Sequence, residues 1–408
     1  MNYPAQRGDV LNPQQNKMRG FMKTYNLRRF SKVEILRKIS RENLISLLKP
    51  YENYFQQRHF KIPEHDSREE LDYERLSKIL LSPDSSTPKK LADALFHIDE
   101  FLTPAGFDAI QRKIEGTEID AAISRDASSA DLVVEVWMRN HKIIENIHDE
   151  QYFSRLRSFD YFQTLQKPSI TFQELSQKAV VPLEKDINEW FYEKRRGRYA
   201  KISVHIKADE IWFLIRHGEP YARQNVIGAD GKSVSVFQRL EKYDVLVYNH
   251  GLGEIKIYAC SKSEKELYRV KFGLHLFGDK NYFSVESKFT LEPLRTLDHM
   301  SLLCGDIKGL EWVKLKELKV SHGGPHRETA THKAKDVFAS FKTRKYSLPS
   351  RGKLIKASLL IKFSDSKTPR VINFGPGNNA QYKRDADAGI EEELLVRRGF
   401  IIRKVKAL

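Results

Sequence analysis

The stretch that decides the fold reads ISVHIKADEIWFLIRHGEP (residues 202–220), then SVSVFQRLEKYDVLVYNHGLGEIKIYACS (233–261), then KELYRVKFGLHLFGD (265–279). Apolar and polar residues alternate through it, and β-branched and aromatic side chains are concentrated there, as in strands with one buried face. The pattern predicts a meander of about four or five strands. Its turns are Lys207-Ala208-Asp209-Glu210, Ala229-Asp230-Gly231-Lys232 and His250-Gly251-Leu252-Gly253, where Gly and Asp supply the backbone angles of tight turns.

Upstream, residues 1–29 are polar, rich in Gln and Asn, and carry Arg7, Lys17, Arg19, Lys23, Arg28 and Arg29, which predicts a flexible basic arm. Residues 30–167 predict a helical domain. Ser31 and Glu34 have capping-box spacing, Glu69 to Leu81 repeats its leucines at helical intervals, Thr87-Pro88 has the form of a helix start, and Ser129 caps a further segment. Pro168 and Pro182 place a boundary in Gln166–Pro182, and a helix follows over Leu183–Arg195. Residues 183–408 predict a sheet-rich domain with a division near 295. Strands are expected over Val313–Val320, Ser358–Phe363 and Arg370–Phe374, and helices over Ala330–Phe341 and Asp385–Arg398. The fold class is α+β: an N-terminal helical bundle, a mostly antiparallel β-sheet domain and a C-terminal helix.

The chain of 408 residues has a formal charge of +16 and a sequence pI near 9.5. An excess of this size draws polyanions, nucleic acid above all, through release of condensed counterions. Cys260 and Cys304 form neither a disulfide framework nor a CxxC motif, which suits a reducing cytoplasm; Cys260, in a strand pattern, is expected to be a buried small residue. No apolar run is long enough to cross a bilayer, so no membrane partner is expected. The expected partner is nucleic acid, DNA in the first instance, with no cofactor. The phosphate contacts fall in two groups: Lys194, Arg195, Arg196 and Arg198 beside Tyr199, and Arg344, Lys345, Arg351 and Lys353 around Tyr346. The tyrosines are suited to stacking on bases. On this reading the protein is a non-catalytic or accessory component of a prokaryotic multi-protein system, and the helical domain offers a face to a protein partner.

Two patterns support enzymatic alternatives. Asp244 begins one predicted strand, and Glu254-Ile255-Lys256 opens the next. Two carboxylates hold Mg²⁺ in such a pattern while a lysine steadies water or developing charge. The order Asp…Glu-x-Lys resembles the signature of the restriction-endonuclease-like nucleases, and the resemblance implies Mg²⁺-dependent DNA cleavage with Asp244 and Glu254 as metal ligands and Lys256 as the catalytic lysine. Arg216-His217-Gly218-Glu219 at a strand end, with His322-Gly323-Gly324 downstream, resembles the histidine phosphatase superfamily. That resemblance implies a phosphohydrolase with His217 as nucleophile and Arg216 and His322 gripping the phosphoryl oxygens. A third stretch, Phe374-Gly375-Pro376-Gly377-Asn378-Asn379, is a glycine loop ahead of the last helix, where either a phosphate cradle or an ordinary turn is expected.

Overall fold

The computed structural model describes residues 27–402 apart from 28, 85, 124–126, 157, 165–171, 208, 229, 349 and 383–387. The basic arm expected over residues 1–29 lies almost wholly outside them. The chain forms two units, Met1–Tyr152 and Phe153–Leu408. It is α+β in the order expected, with helices first, a mostly antiparallel sheet after them and a helix near the C-terminus.

The first unit is helical: α1 (Val33–Leu36), α2 (Arg41–Leu48), α3 (Glu52–Gln57), α4 (Tyr73–Leu81), α5 (Lys89–Phe101), α6 (Pro104–Ile114), α7 (Glu118–Ala122) and α8 (Ser129–Arg155), the last interrupted at Asn140. Short polar side chains set the starts. Ser40 accepts from the Asn43 amide, Asp72 from Arg75 and Thr103 from Gly106, satisfying donors that a first turn leaves open. The Ser31–Glu34 spacing does not open one long helix. Ser31 Oγ donates back to the Leu27 carbonyl, and Ser40 starts a second helix instead. Leu76 and Leu80 of α4, Leu91, Leu95 and Ile98 of α5, and Val133 and Val136 of α8 share one core. Among the described residues of this unit, Leu81 is the exposed large hydrophobic. A single side chain is not an apolar docking patch.

The second unit contains β1 (Ser158–Gln163), α9 (Phe172–Glu193), β2 (Lys201–Lys207), β3 (Glu210–Gly218), β4 (Ala222–Ile227), β5 (Ser233–Gln238), β6 (Glu241–Asn249), β7 (Glu254–Tyr258), α10 (Lys262–Phe277), α11 (Glu292–Thr296), β8 (Leu310–Gly323), β9 (Glu328–Lys333), α12 (Val337–Thr343), β10 (Lys353–Phe363), β11 (Arg370–Phe374), β12 (Asn379–Gln381) and α13 (Ala388–Arg397). The ten-stranded sheet runs β2-β3-β6-β7-β1-β12-β11-β10-β8-β9, and β4 and β5 form a separate two-stranded ribbon.

Four local expectations are corrected. Residues 265–279 are not a strand: Ser261 and Glu264 close a capping box, and α10 follows. Leu267, Tyr268, Phe272 and Leu276 are its large buried hydrophobic side chains, while Leu274, which supplied the alternation, faces outward. Ser158–Gln163, expected within the helical run, is a central strand pairing with β7 and β12. The helix expected over Ala330–Phe341 is β9 followed by α12, which Asp336 caps. Finally, α9 runs through Pro182; Val181 and Pro182 lie on its exposed side, where water can satisfy the carbonyl that the missing N–H releases.

The two halves of the sheet bury opposite faces. On β3, β6 and β7, the residues Ile211, Phe213, Ile215, Leu246, Tyr248, Ile255 and Ile257 pack against Leu183, Ile187 and Phe191 of α9 and Phe272 of α10. Following the register through β1, β12 and β11 carries this face to Ser358 and Lys356 of β10, whereas Ala357 and Leu359 are buried on the other side. The second half therefore leaves open the face that the first half covers.

Candidate nucleic-acid interface and the buried polar centre

The sheet register decides whether the Asp…Glu-x-Lys residues can meet. Val245 pairs with Tyr258 and Asn249 with Glu254. Asp244 and Glu254 therefore stand at opposite ends of the β6–β7 pair, five residues apart, or about 16 Å at the rise of an antiparallel strand. Direct partners share a face and neighbours alternate. Asp244 thus shares the helix-covered face with Leu246 and Tyr248, while Glu254 and Lys256 point to the other. The two carboxylates are not placed to share an ion.

Glu254 is held instead by Lys288, whose Nζ lies 2.8 Å from both Glu254 and Glu392. Burial pushes the Glu254 carboxyl above its usual range, against the opposing pull of the Lys288 charge. Lys256 lies 3.2 Å from Glu210 and above the rings of Trp212 and Phe159.

The phosphatase-like trio is not assembled either. His322 is on β8, seven strands from His217 on β3 in the sheet order, which is about 33 Å along the sheet. Arg216 alternates to the face opposite His217 and pairs with Glu241 at 3.1 Å. The glycine loop carries Gly377 at φ +123 and leads into β12, not a helix, so it is a strand-to-strand turn.

The structure gathers a different group, drawn from both patterns. His217 Nε2 lies 2.9 Å from Asp244 Oδ2, and Tyr268 Oη donates to the same oxygen at 2.8 Å. Arg196 Nη1 donates to Glu264 Oε1 at 2.5 Å, and Lys242 Nζ lies 2.9 Å from Glu219 and 3.8 Å from Glu264. The His217 ring stacks on Phe191, and the Asp244 and Glu264 side chains are 0% exposed. Burial works to raise the Glu264 carboxyl, but the Lys242 charge and the Arg196 hydrogen bond outweigh it and hold the group below its usual range. Burial first, and the Asp244 charge second, push the Tyr268 hydroxyl well up.

One ligand atom each from His217, Asp244 and Glu264 falls within a 4.8 Å cluster, a donor set that divalent transition metals accept. Both Glu264 oxygens are already occupied, however, Oε1 by Arg196 and Oε2 by the Ser261 amide at 2.6 Å. The carboxylate is satisfied without an ion. The centre is a largely buried ion-pair network that ties β3 and β6 to α10 and to the chain leaving α9, in which Asp244 Oδ1 is a buried oxygen with no hydrogen-bond partner among the described residues. Sequence reasoning found His217 and Asp244 but missed Glu264 and Tyr268; the signal that could have found them was the S-x-x-E box at Ser261.

The first basic group is partly consumed by these interactions. Arg196 belongs to the buried centre, and Arg198 is held by Glu189 at 2.9 Å and lies over the Tyr192 ring. Lys194 lies over Trp190, Arg195 closes α9 at a left-handed φ of 60, and Tyr199 remains exposed. The second group closes α12 in the same way. Lys345 has φ 51, the Tyr346 amide bonds the Phe341 carbonyl at 2.9 Å, and Arg344 lies over both aromatic rings. Arg351 and Lys353 are exposed. The first group follows α9 and leads into β2, at one end of the sheet order, and the second lies between β9 and β10, near the other.

A larger cationic surface accompanies the second group. Between Leu310 and Phe363 the chain has 13 Lys and Arg against 4 Asp and Glu, a surplus of nine out of the total of +16. The register sorts them. Lys319 lies between Thr331 and Lys356, Glu317 between Lys333 and Ser358, and Ser321 between Thr329 and Lys353, while Lys314 and Lys362 continue the same open face. That face carries six lysines and Glu317, with Glu311 at the bulge beside Lys362. Lys356 pairs with Glu317 and Lys362 with Glu311; among the described residues no ion pair engages Lys314, Lys319, Lys333 or Lys353. The hydrogen bond from Lys356 first, and the charges of Lys333 and Lys316 with it, hold Glu317 below its usual range.

Of the cysteines, Cys304 is buried, while Cys260, beyond the end of β7, is exposed and not the core residue expected. No described helix is long and apolar enough to cross a membrane. The chain matches no family model and no curated protein.

Proposed function

We propose that this protein binds nucleic acid, DNA in the first instance, by laying the phosphate backbone across the open lysine face of β9, β8 and β10. The observation that carries this reading is the six lysines aligned on this face against Glu317 and the adjoining Glu311, with four of the lysines in no ion pair among the described residues. An antiparallel sheet commonly leaves one face to water, but a solvated face usually mixes charges of both signs. Here Lys314, Lys319, Lys333 and Lys353 carry charge that the neighbouring carboxylates do not pair, which a polyanion would neutralise with release of counterions. Arg344, Lys345 and Arg351 extend the field around the β9 edge, and Tyr346 adds an aromatic surface there. The contacts are to phosphate and carry no base readout, so binding is expected to depend weakly on sequence.

Fluorescence anisotropy with labelled DNA at several salt concentrations tests the reading. Affinity should fall steeply as salt rises, and a Lys319→Glu, Lys333→Glu, Lys353→Glu triple variant should lose at least about tenfold at low salt. Binding that ignores salt, or a triple variant that binds like the parent, rejects it.

A further inference from the structure

We infer that one face of the β4–β5 ribbon, with Tyr199 at its base, stacks on unpaired nucleobases, so that the ligand includes a single-stranded or opened segment. This deepens the nucleic-acid reading and rests on it. The ribbon pairs Ala222 with Gln238, Arg223 with Phe237 and Asn225 with Ser235. Continuing that register by one pair sets Tyr221 opposite Arg239, whose guanidinium lies 4.4 Å from the Tyr221 ring centroid and 5.8 Å from that of Tyr199.

One ribbon face thus presents Tyr221, Arg223, Asn225 and Ile227 on one strand and Arg239, Phe237, Ser235 and Ser233 on the other. It alternates aromatic rings with guanidinium groups across both strands and contains no carboxylate. Tyr199, Tyr221 and Phe237 are 63%, 65% and 67% exposed. Scattered exposed aromatics need no explanation, but three around two arginines on one carboxylate-free strip are the chemistry of a base-stacking platform.

The platform is also held in place. Arg239 Nη1 donates to the Arg195 and Glu219 carbonyls, each at 2.9 Å. A Cβ at Gly197 would run into the Tyr199 ring, and one at Gly218 into the Arg239 stem. Both glycines therefore leave room for the groups that stack. Beyond this anchored base the ribbon pairs with no strand of the main sheet among the described residues. Two-stranded hairpins are marginal alone in water, and a bound strand would add contacts the ribbon lacks.

The test compares an oligothymidylate with a blunt duplex of equal length, about twenty nucleotides. Anisotropy would be measured for the parent, for a Tyr221→Ala, Phe237→Ala double variant and for the triple lysine variant, with circular dichroism to check folding. The double variant should lose about tenfold or more toward the single strand and keep duplex binding within about twofold. The lysine variant should weaken both. A fluorescent adenine analogue in the single strand should be quenched by the parent and not by the double variant.

A double variant that binds both polymers like the parent overturns this inference and leaves the lysine-face reading standing. So does one that loses both equally, or that changes only self-association. A parent that binds neither polymer overturns both.

Discussion

Asp244 accepts from two neighbours, His217 and Tyr268, while fully withdrawn from water. Truncating one member of such a group leaves the others buried and unpaired, which costs more than the bonds themselves contribute. Asp244→Ala is expected to lower stability by about 3 kcal/mol, read from the urea midpoint. Its effect on DNA affinity at a temperature where the variant stays folded should be negligible; a large loss there would return Asp244 to the binding machinery. Glu264 gives the centre a pH dependence. Its folded value lies below the ordinary 4.5, so its contribution is complete above that value and is lost as pH falls through the folded one. Urea midpoints should therefore drop as pH falls below about 4.5, and Glu264→Gln should flatten that drop.

At the scale of elements, α10 shows how one local device overrides a period. Val270, Phe272, Leu274 and Leu276 alternate as a strand would, but the Ser261–Glu264 box supplies two bonds at the helix start. Ser261→Ala should cost about 1 kcal/mol by chemical denaturation, and more if loss of the box also loosens Glu264 from Arg196. Equal stability would mean that packing alone holds this start. The two basic groups share an element-level cause as well. Each closes a helix with a non-glycine residue in the left-handed region, Arg195 and Lys345. Cations near a helix C-terminus are favoured by the dipole, so part of each cluster is explained by its position and not by a ligand.

For the whole molecule, the question is how charge is distributed. About four phosphate contacts, one for each unpaired lysine of the face, predict a slope of about −4 in a plot of log affinity against log salt on duplex DNA. The triple lysine variant should reduce that slope by about 2 to 3. A parent slope near −1 would mean that the face does not engage the backbone. The basic character of Lys342–Lys356 is legible in the sequence because its cations are neighbours along the chain. The larger surface is not, because Lys314, Lys319 and Lys333 come from separate strand positions that only pairing aligns.

Composition and local pattern determined the α+β class, the helix-then-sheet order, most strand positions from Ile202 to Tyr258, the closing strands and helix, and the cationic character, because each depends on side chains near one another in sequence. Pairing decided the rest. The spacing that placed Asp244 near Glu254 in sequence set them at opposite ends and on opposite faces of a strand pair, because side chains alternate along a strand and antiparallel registers run in opposite senses. His217, Asp244 and Glu264 met only because β3, β6 and α10 pack together, and no short-range pattern encodes that contact.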